Sequence, residues 1–360
     1  MADIQLLNNQ GITVFKSLEQ CFSGGVYLGY KGDTGLVSVK VRNIDQVGER
    51  ELDAIERFKE MEAIPFVSQY KEIIKLEKQI IILNDFANMK SIEHIIKNKY
   101  SLSSGTFRAL AKQIFEGIRY INSIDIILRD INAENLLLHC PHGSNRVIVK
   151  IAGFECAKVL GKYQTNNLEQ EDKSFKMSAI EQQFGFRQNM APELDIEGEK
   201  ADSRVDGWSS GVVLFQLAGH DHPIKAKTID ELKNFIKFQT IVRPAAIQDD
   251  QLWDLLTHLL DFNRKTRYSA ELALQHPYFT SPSFEISAEA NEIAIQSLYD
   301  KQQGDKSITI YDQDSTYIVP KSEIKAALEY DPDIDLQPIY HQIQQQQIIG
   351  RRLSTNSGSS

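Results

Sequence analysis

This chain of 360 residues has little cysteine, no long apolar run and no excess of positive charge. Its three cysteines, Cys21, Cys140 and Cys156, are too few and too scattered for a disulfide framework or a zinc site. That scarcity points to a reducing compartment. The longest apolar stretch, GVVLFQLA at 211–218, falls far short of the roughly 20 residues that span a bilayer. The start, MADIQLLNNQ, lacks the basic lead and apolar core of a signal peptide. A soluble, cytoplasmic protein without a membrane partner is expected. A formal net charge of −9 argues against a nucleic-acid backbone as the main partner.

What is there is ordinary globular material. A hydrophobic share of 42% and a charged share of 25% suffice for one large or two modest domains. From 12 to 86, short β-prone runs (ITVF, GVYLGY, GLVSVKV, QIIIL) alternate with Gly, Asp and Asn turns. One helix interrupts them, where ERELDAIERFKEM sets Leu52, Ile55 and Phe58 on one face. From about 91 onward helices dominate. SGTFRALAKQIFEGIRYIN follows a serine cap and carries Phe107, Leu110, Ile114, Ile118 and Ile121 in one stripe. Strands first and helices afterwards predict an α+β chain of two lobes. After 281 the composition shifts, and QIQQQQ at 342–347 and the ending RRLSTNSGSS read as disordered tail.

Five stretches carry the chemistry. VSVK at 37–40 ends an apolar strand on Lys40. LRDINAEN at 128–135 holds Asp130 and Asn135, and MAPE at 190–193 holds Glu193. DGWSSG at 206–211 opens an apolar helix, and RKTRYSAELALQHPYF at 264–279 holds Arg267. In this order they resemble a protein kinase domain of the Ser/Thr type, over residues 12–280. The resemblance implies a bilobal protein kinase fold of α+β class. Its β-rich N-lobe is 12–87, its helical C-lobe 88–280, and 281–360 is a partly disordered C-terminal tail. Phosphoryl transfer needs positioning and charge neutralisation more than covalent help. The resemblance makes Lys40 the phosphate-binding lysine, paired with Glu51 (Glu56 being the fallback), Asp130 the catalytic base and Asn135 a metal ligand. The resemblance also implies that Val26, Ser38, Asp85, Ala87 and Leu137 line the nucleotide pocket, with Ser91 at the ribose position.

The same comparison shows departures. Of three loop glycines only Gly24 remains, Glu19 and Cys21 standing at the others. Asn132 replaces a basic residue, Leu128 a histidine and Phe186 a threonine. Gly153 stands where the family places a metal-binding aspartate, in Gly153-Phe154-Glu155. That leaves Asn135 as a vestigial metal ligand, with magnesium doubtful and ATP binding weak. The reading drawn is a pseudokinase, inactive or weak in transfer, that regulates or scaffolds a protein partner, an active kinase among the candidates. The alternatives are a weakly active ATP-dependent Ser/Thr kinase and a pure scaffold with an empty cleft. Asp206 and a Glu193–Arg267 pair have structural work, and Asp130 and Asn135 could be kept for structure alone. No Ser, Thr or Tyr lies between Ala179 and Met190, so Glu181 is expected to pair with Arg129 in place of a phosphate. Two arginines before Ser354 match what a basophilic kinase reads, a chance basic pair being the bland alternative.

Overall fold

The computed structural model describes residues 2–21, 24–60, 62–160, 188–195, 201–238, 240–281 and 285–356. The strands are β1 (Thr13–Cys21), β2 (Gly24–Lys31), β3 (Gly35–Asn43), β4 (Tyr70–Lys75), β5 (Gln79–Asp85), β6 (Ile126–Ile127), β7 (Leu136–His139), β8 (Arg146–Ile151), β9 (Lys158–Val159) and β10 (Val319–Pro320). The first helices are α1 (Ala2–Asn9), α2 (Glu49–Lys59), α3 (Ile92–Lys97) and α4 (Ser104–Ser123). They are followed by α5 (Arg204–Gly219), α6 (Ile229–Phe238), α7 (Asp250–Leu259), α8 (Ala270–Leu274) and α9 (Pro277–Thr280). The last are α10 (Ala288–Gln302), α11 (Lys321–Leu328) and α12 (Pro332–Asn356). This is the bilobal α+β architecture, in two compact units: 1–47, 69–89 and 329–360 form the first, 48–68 and 90–328 the second.

The first unit is a five-stranded antiparallel sheet in the order β1-β2-β3-β5-β4. Side chains alternate across such a sheet, so it has two faces to cover. One face, with Tyr27, Val37, Val39, Val41, Ile81 and Leu83, is closed by Leu7 of α1 and by Ile12. The other, at Leu28, Tyr30 and Leu36, is closed by Leu336, Ile339 and Ile343 of α12.

The second unit is mainly helical. α4 begins as its serine predicts, Ser103 accepting from Thr106 N–H. Its Phe107, Leu110, Ile114, Ile118 and Ile121 are all buried. α2 buries Glu51, Ala54, Ile55 and Phe58, a stripe at helical spacing. Among the described residues no helix is long and apolar enough to cross a membrane.

Where the sequence reads as disordered tail, the structure is different. β10 adds a third strand to β7 and β8, Val319 facing Val147. Glu323 of α11 accepts from Ser103 N–H at 2.5 Å and Ser103 Oγ at 2.8 Å, at the start of α4. α12 runs through the glutamine tract to Asn356 and so includes Ser354. The glutamine-rich composition hides three apolar residues at helical spacing, Leu336, Ile339 and Ile343, which have a sheet to cover. Pro338 removes one helical N–H opposite Ile334, a residue exposed on the outer side of the helix.

One group makes the second unit pH-sensitive. Burial pulls the His222 imidazole down to about 4 from 6.5, against the hydrogen bond to Ile224 and the charge of Asp221. Below pH 6.5 the unfolded chain binds a proton that the folded chain refuses, so stability falls as pH falls towards 4. The loss should reach about 2–3 kcal/mol by roughly pH 4.5. His222→Gln should remove that part of the slope, read as the difference between the two proteins in urea unfolding at neutral and acid pH. Equal slopes would show that His222 protonates normally in the folded state.

Candidate functional site

Asp206, at the start of α5, is completely buried. Its carboxylate accepts from Leu128 N–H at 3.0 and 3.1 Å and from Arg129 N–H at 2.8 Å. Asn122 Nδ2 donates to it at 2.9 Å. Burial pushes this carboxyl above its ordinary range, while the bonds from Arg129, Leu128 and Asn122 hold it down. The two residues before Asp130 are therefore pinned by backbone bonds, with Arg129 in the left-handed region at φ 65°. Asp130 itself is 5% exposed.

Asn132, a departure in the sequence comparison, has a function of its own. Its Oδ1 accepts from Glu134 N–H at 3.1 Å and Asn135 N–H at 3.0 Å, and its Nδ2 donates to Asp130 C=O at 3.2 Å. This is the local side-chain-to-backbone bonding that makes asparagine a turn former. Asn135 C=O in turn accepts from Ala152 N–H at 2.9 Å. Sequence reasoning missed the work of Asn122 and Asn132 around this loop. For Asn132 the signal was available, an asparagine followed by N–H groups two and three residues on.

Gly153 has φ +76°, and a Cβ there would lie 2.2 Å from Asn135 Nδ2. The Asn135 side chain thus fills the space that a residue at 153 would use. Phe154 is buried and packs on Phe58 of α2, ring centroids 4.6 Å apart. On α2 the structure buries Glu51 to 4% exposure and leaves Glu56 exposed. Leu137 of β7 forms an isolated bridge with Ser91, which is itself buried beside His94 Nδ1 at 3.2 Å. Arg129 is buried, its Nε donating to Cys156 C=O at 3.0 Å. Glu181 and Phe186 lie outside the described residues, so the expected Glu181–Arg129 pair does too. Glu193 and Arg267 form a buried two-pronged pair at 2.5 and 3.0 Å.

In the first unit, Val26 faces Lys40 and Lys40 faces Ile82 across three strands, and the next row is Leu28, Ser38 and Asn84. Val26, Ser38 and Lys40 therefore share one sheet face. The Asp85 side chain is committed within its own unit, at 2.8 Å from Lys71 Nζ and 3.3 Å from Gln69 N. What Asp85 and Ala87 can offer a ligand is backbone. Glu19 and Cys21 pair with Val26 and Gly24 as strand residues. Gly24, at φ +138°, cannot carry a side chain, because a Cβ would fall 1.8 Å from Val41 C=O.

A further cluster joins α7 to the start of α9. Asp254, His258 and His276 each offer a ligand atom within 4.8 Å of the others and could hold a metal ion. His276 Nε2 is 2.9 Å from Asp254 Oδ2, and His276 Nδ1 accepts from Tyr278 N–H at 3.1 Å. His258 Nδ1 is 3.9 Å from Asp254 Oδ1. This cluster corrects the reading of Gly153 as the mark of a protein inactive or weak for want of a metal-binding acid. An acid and two imidazoles that could hold an ion are present, so one substitution does not mark the chain that way. The sequence hid them because His276 lies 22 positions beyond Asp254 and meets it only on folding.

The chain matches the family model described as protein kinase domain over residues 14–279. It is similar to a probable serine/threonine-protein kinase of Dictyostelium discoideum, 27% identical over 303 residues, covering 81% of this chain and 34% of that protein. It is also similar to serine/threonine-protein kinase unc-51 of Caenorhabditis elegans, 29% identical over 211 residues, covering 56% and 23%. Mitogen-activated protein kinase kinase kinase 1a of Physcomitrium patens is 26% identical over 268 residues, covering 71% and 32%. The chain spans about a third or less of the length of these relatives.

Proposed function

The chain belongs to the protein kinase domain family, and on that premise we propose that it transfers phosphate from ATP to a Ser or Thr hydroxyl of a protein. The observation that carries this reading is the buried Asp206 clasp on Leu128 and Arg129, which pins the loop bearing Asp130. Similarity to several Ser/Thr kinases supports the same reading.

Lys40 would hold the α- and β-phosphates, with Val26 and Ser38 against the base. Asp130 would accept the hydroxyl proton as the hydroxyl oxygen bonds to the γ-phosphorus and the bond to the β-phosphate oxygen breaks. Asn135 would be the side chain that holds magnesium, since Gly153 offers none and the Asn135 amide fills that space. Magnesium, when bound, neutralises phosphate charge. With one side-chain ligand, the ion should add little to ATP affinity.

Two expected results follow. ATP at about 100 times its dissociation constant should stabilise the protein by roughly 2.7 kcal/mol, and most of the shift should survive EDTA. A shift abolished by EDTA would mean that the ion, not Lys40, carries the affinity. In a transfer assay with radiolabelled ATP and a Ser/Thr peptide mixture, Asp130→Asn should lose about 10²- to 10⁴-fold of the rate. Folded wild-type protein no faster than Asp130→Asn would overturn the proposal.

A further inference from the structure

The face of the sheet that carries Val26, Ser38 and Lys40 does not end at those residues. Leu28 lies two positions beyond Val26 on β2 and pairs with Ser38. By strand geometry it sits on the same face, about 7 Å from Val26 along the strand. Leu28 is fully buried, and Leu336, Ile339 and Ile343 of α12 cluster with it. Phe86, next to Ala87 in the stretch read as nucleotide-contacting backbone, packs against the same cluster. One polar tie joins the helix start to the sheet, through Lys16 of β1, and a local bond from Tyr330 braces the same carboxylate. Lys16 Nζ lies 2.6 Å from Asp335 Oδ2, and Tyr330 OH donates to the same oxygen at 2.8 Å. Lys16 first, and Tyr330 with it, holds the Asp335 carboxyl below its ordinary range.

We propose that α12 is a wall of the nucleotide site, its Leu336, Ile339 and Ile343 acting as positioning residues for Ser38 and for the Phe86–Ala87 backbone. The inference rests on the reading of that face as the ATP-binding one. The physical reason is close packing. Phe86, half-buried, packs against the cluster that Leu28 makes with Leu336, Ile339 and Ile343, so a docked helix holds the backbone at Ala87 in one position. Ser38 pairs with Leu28 in the row that the helix covers, and Val26 stands in the adjacent row. A helix that merely shielded apolar surface could sit on any exposed face. This one sits on the face that carries Lys40, beside Ser38 and against Phe86.

The role predicted is uniform binding: α12 shapes the pocket for ATP without touching the transferring phosphate. Loss of docking should therefore raise KM for ATP while leaving kcat at saturating ATP nearly unchanged. A purely structural helix would lower kcat and KM-independent yield together, through loss of folded protein.

The test uses the full chain in four forms: wild type, Ile343→Ala, Ile339→Asp with Ile343→Asp, and Ile339→Leu with Ile343→Leu. ATP dissociation constants are measured by titration calorimetry, KM and kcat by peptide phosphorylation, and folding by circular dichroism. The aspartate pair should weaken ATP binding by about tenfold or more, Ile343→Ala by less, and the leucine pair should restore the wild-type value. Should the aspartate pair fail to fold, Ile343→Ala against the leucine pair decides. Folded variants that bind ATP as wild type does would overturn the role of α12. Wild-type protein that binds no ATP would overturn the nucleotide reading itself, and the two failures are distinct.

Discussion

Arg267→Ala should cost about 3–5 kcal/mol of stability, the range for breaking a buried ion pair by removing one partner. Arg267 has no exposed surface and Glu193 is 6% exposed. The guanidinium meets both carboxylate oxygens, donates Nε to Asp261 C=O at 2.8 Å, and lies 4.9 Å over the Trp208 ring. Alanine would leave the Glu193 carboxylate buried without its counter-charge, and Asp261 C=O without its donor. Lysine should rescue only part of the loss, because a single ammonium cannot make two parallel bonds and a stacked contact. The contrast is Lys225 with Asp221, 2.7 Å apart but 75% and 56% exposed. Lys225→Ala should cost well under about 1 kcal/mol. Urea unfolding followed by tryptophan fluorescence would measure both. If the two variants lose similar stability, burial is not what sets the value of the Glu193–Arg267 pair.

That pair was legible in the sequence, and the reason is instructive. Glu193 and Arg267 belong to short stretches whose residue types are dictated by one geometry, a buried two-pronged bond that neither lysine nor aspartate reproduces. The same holds for Asp206, whose carboxylate must reach two adjacent N–H groups. The serine cap and apolar stripe of α4 were readable from local spacing alone. α12 was not, because its three buried residues are diluted among glutamines and gain their meaning from a sheet more than 300 positions earlier. Asn132 was read as a defect because comparison names what is missing, whereas the structure shows which backbone groups the new side chain serves. Asp254 and His276 met the same limit as α12: only folding brings them to 2.9 Å.

Gly153→Asp should destabilise the protein and fail to raise transfer. The backbone at 153 has φ +76°, where a side chain costs roughly 1–2 kcal/mol. A Cβ there would also stand 2.2, 2.3 and 2.7 Å from Asn135 Nδ2, Cγ and Oδ1. Something must shift, and the Asn135 backbone is tied at both ends, its N–H to Asn132 and its C=O to Ala152. The side chain is therefore what moves. Aspartate would gain one carboxylate for the site and displace the amide that stands in for it. The net loss should be about 1–3 kcal/mol in stability, with transfer at or below the wild-type rate. Gly153→Ala separates the causes, since it brings the Cβ without the charge. If strain and collision set the cost, alanine and aspartate should lose similar stability. Adding Asn135→Gly to Gly153→Asp should recover part of the stability, because the collision partner is gone while the backbone strain at 153 remains. A Gly153→Asp protein with wild-type stability and transfer raised about tenfold, a gain of roughly 1.4 kcal/mol in the barrier, would refute this. It would mean that Asn135 swings aside at no cost and that position 153 is open to a metal ligand.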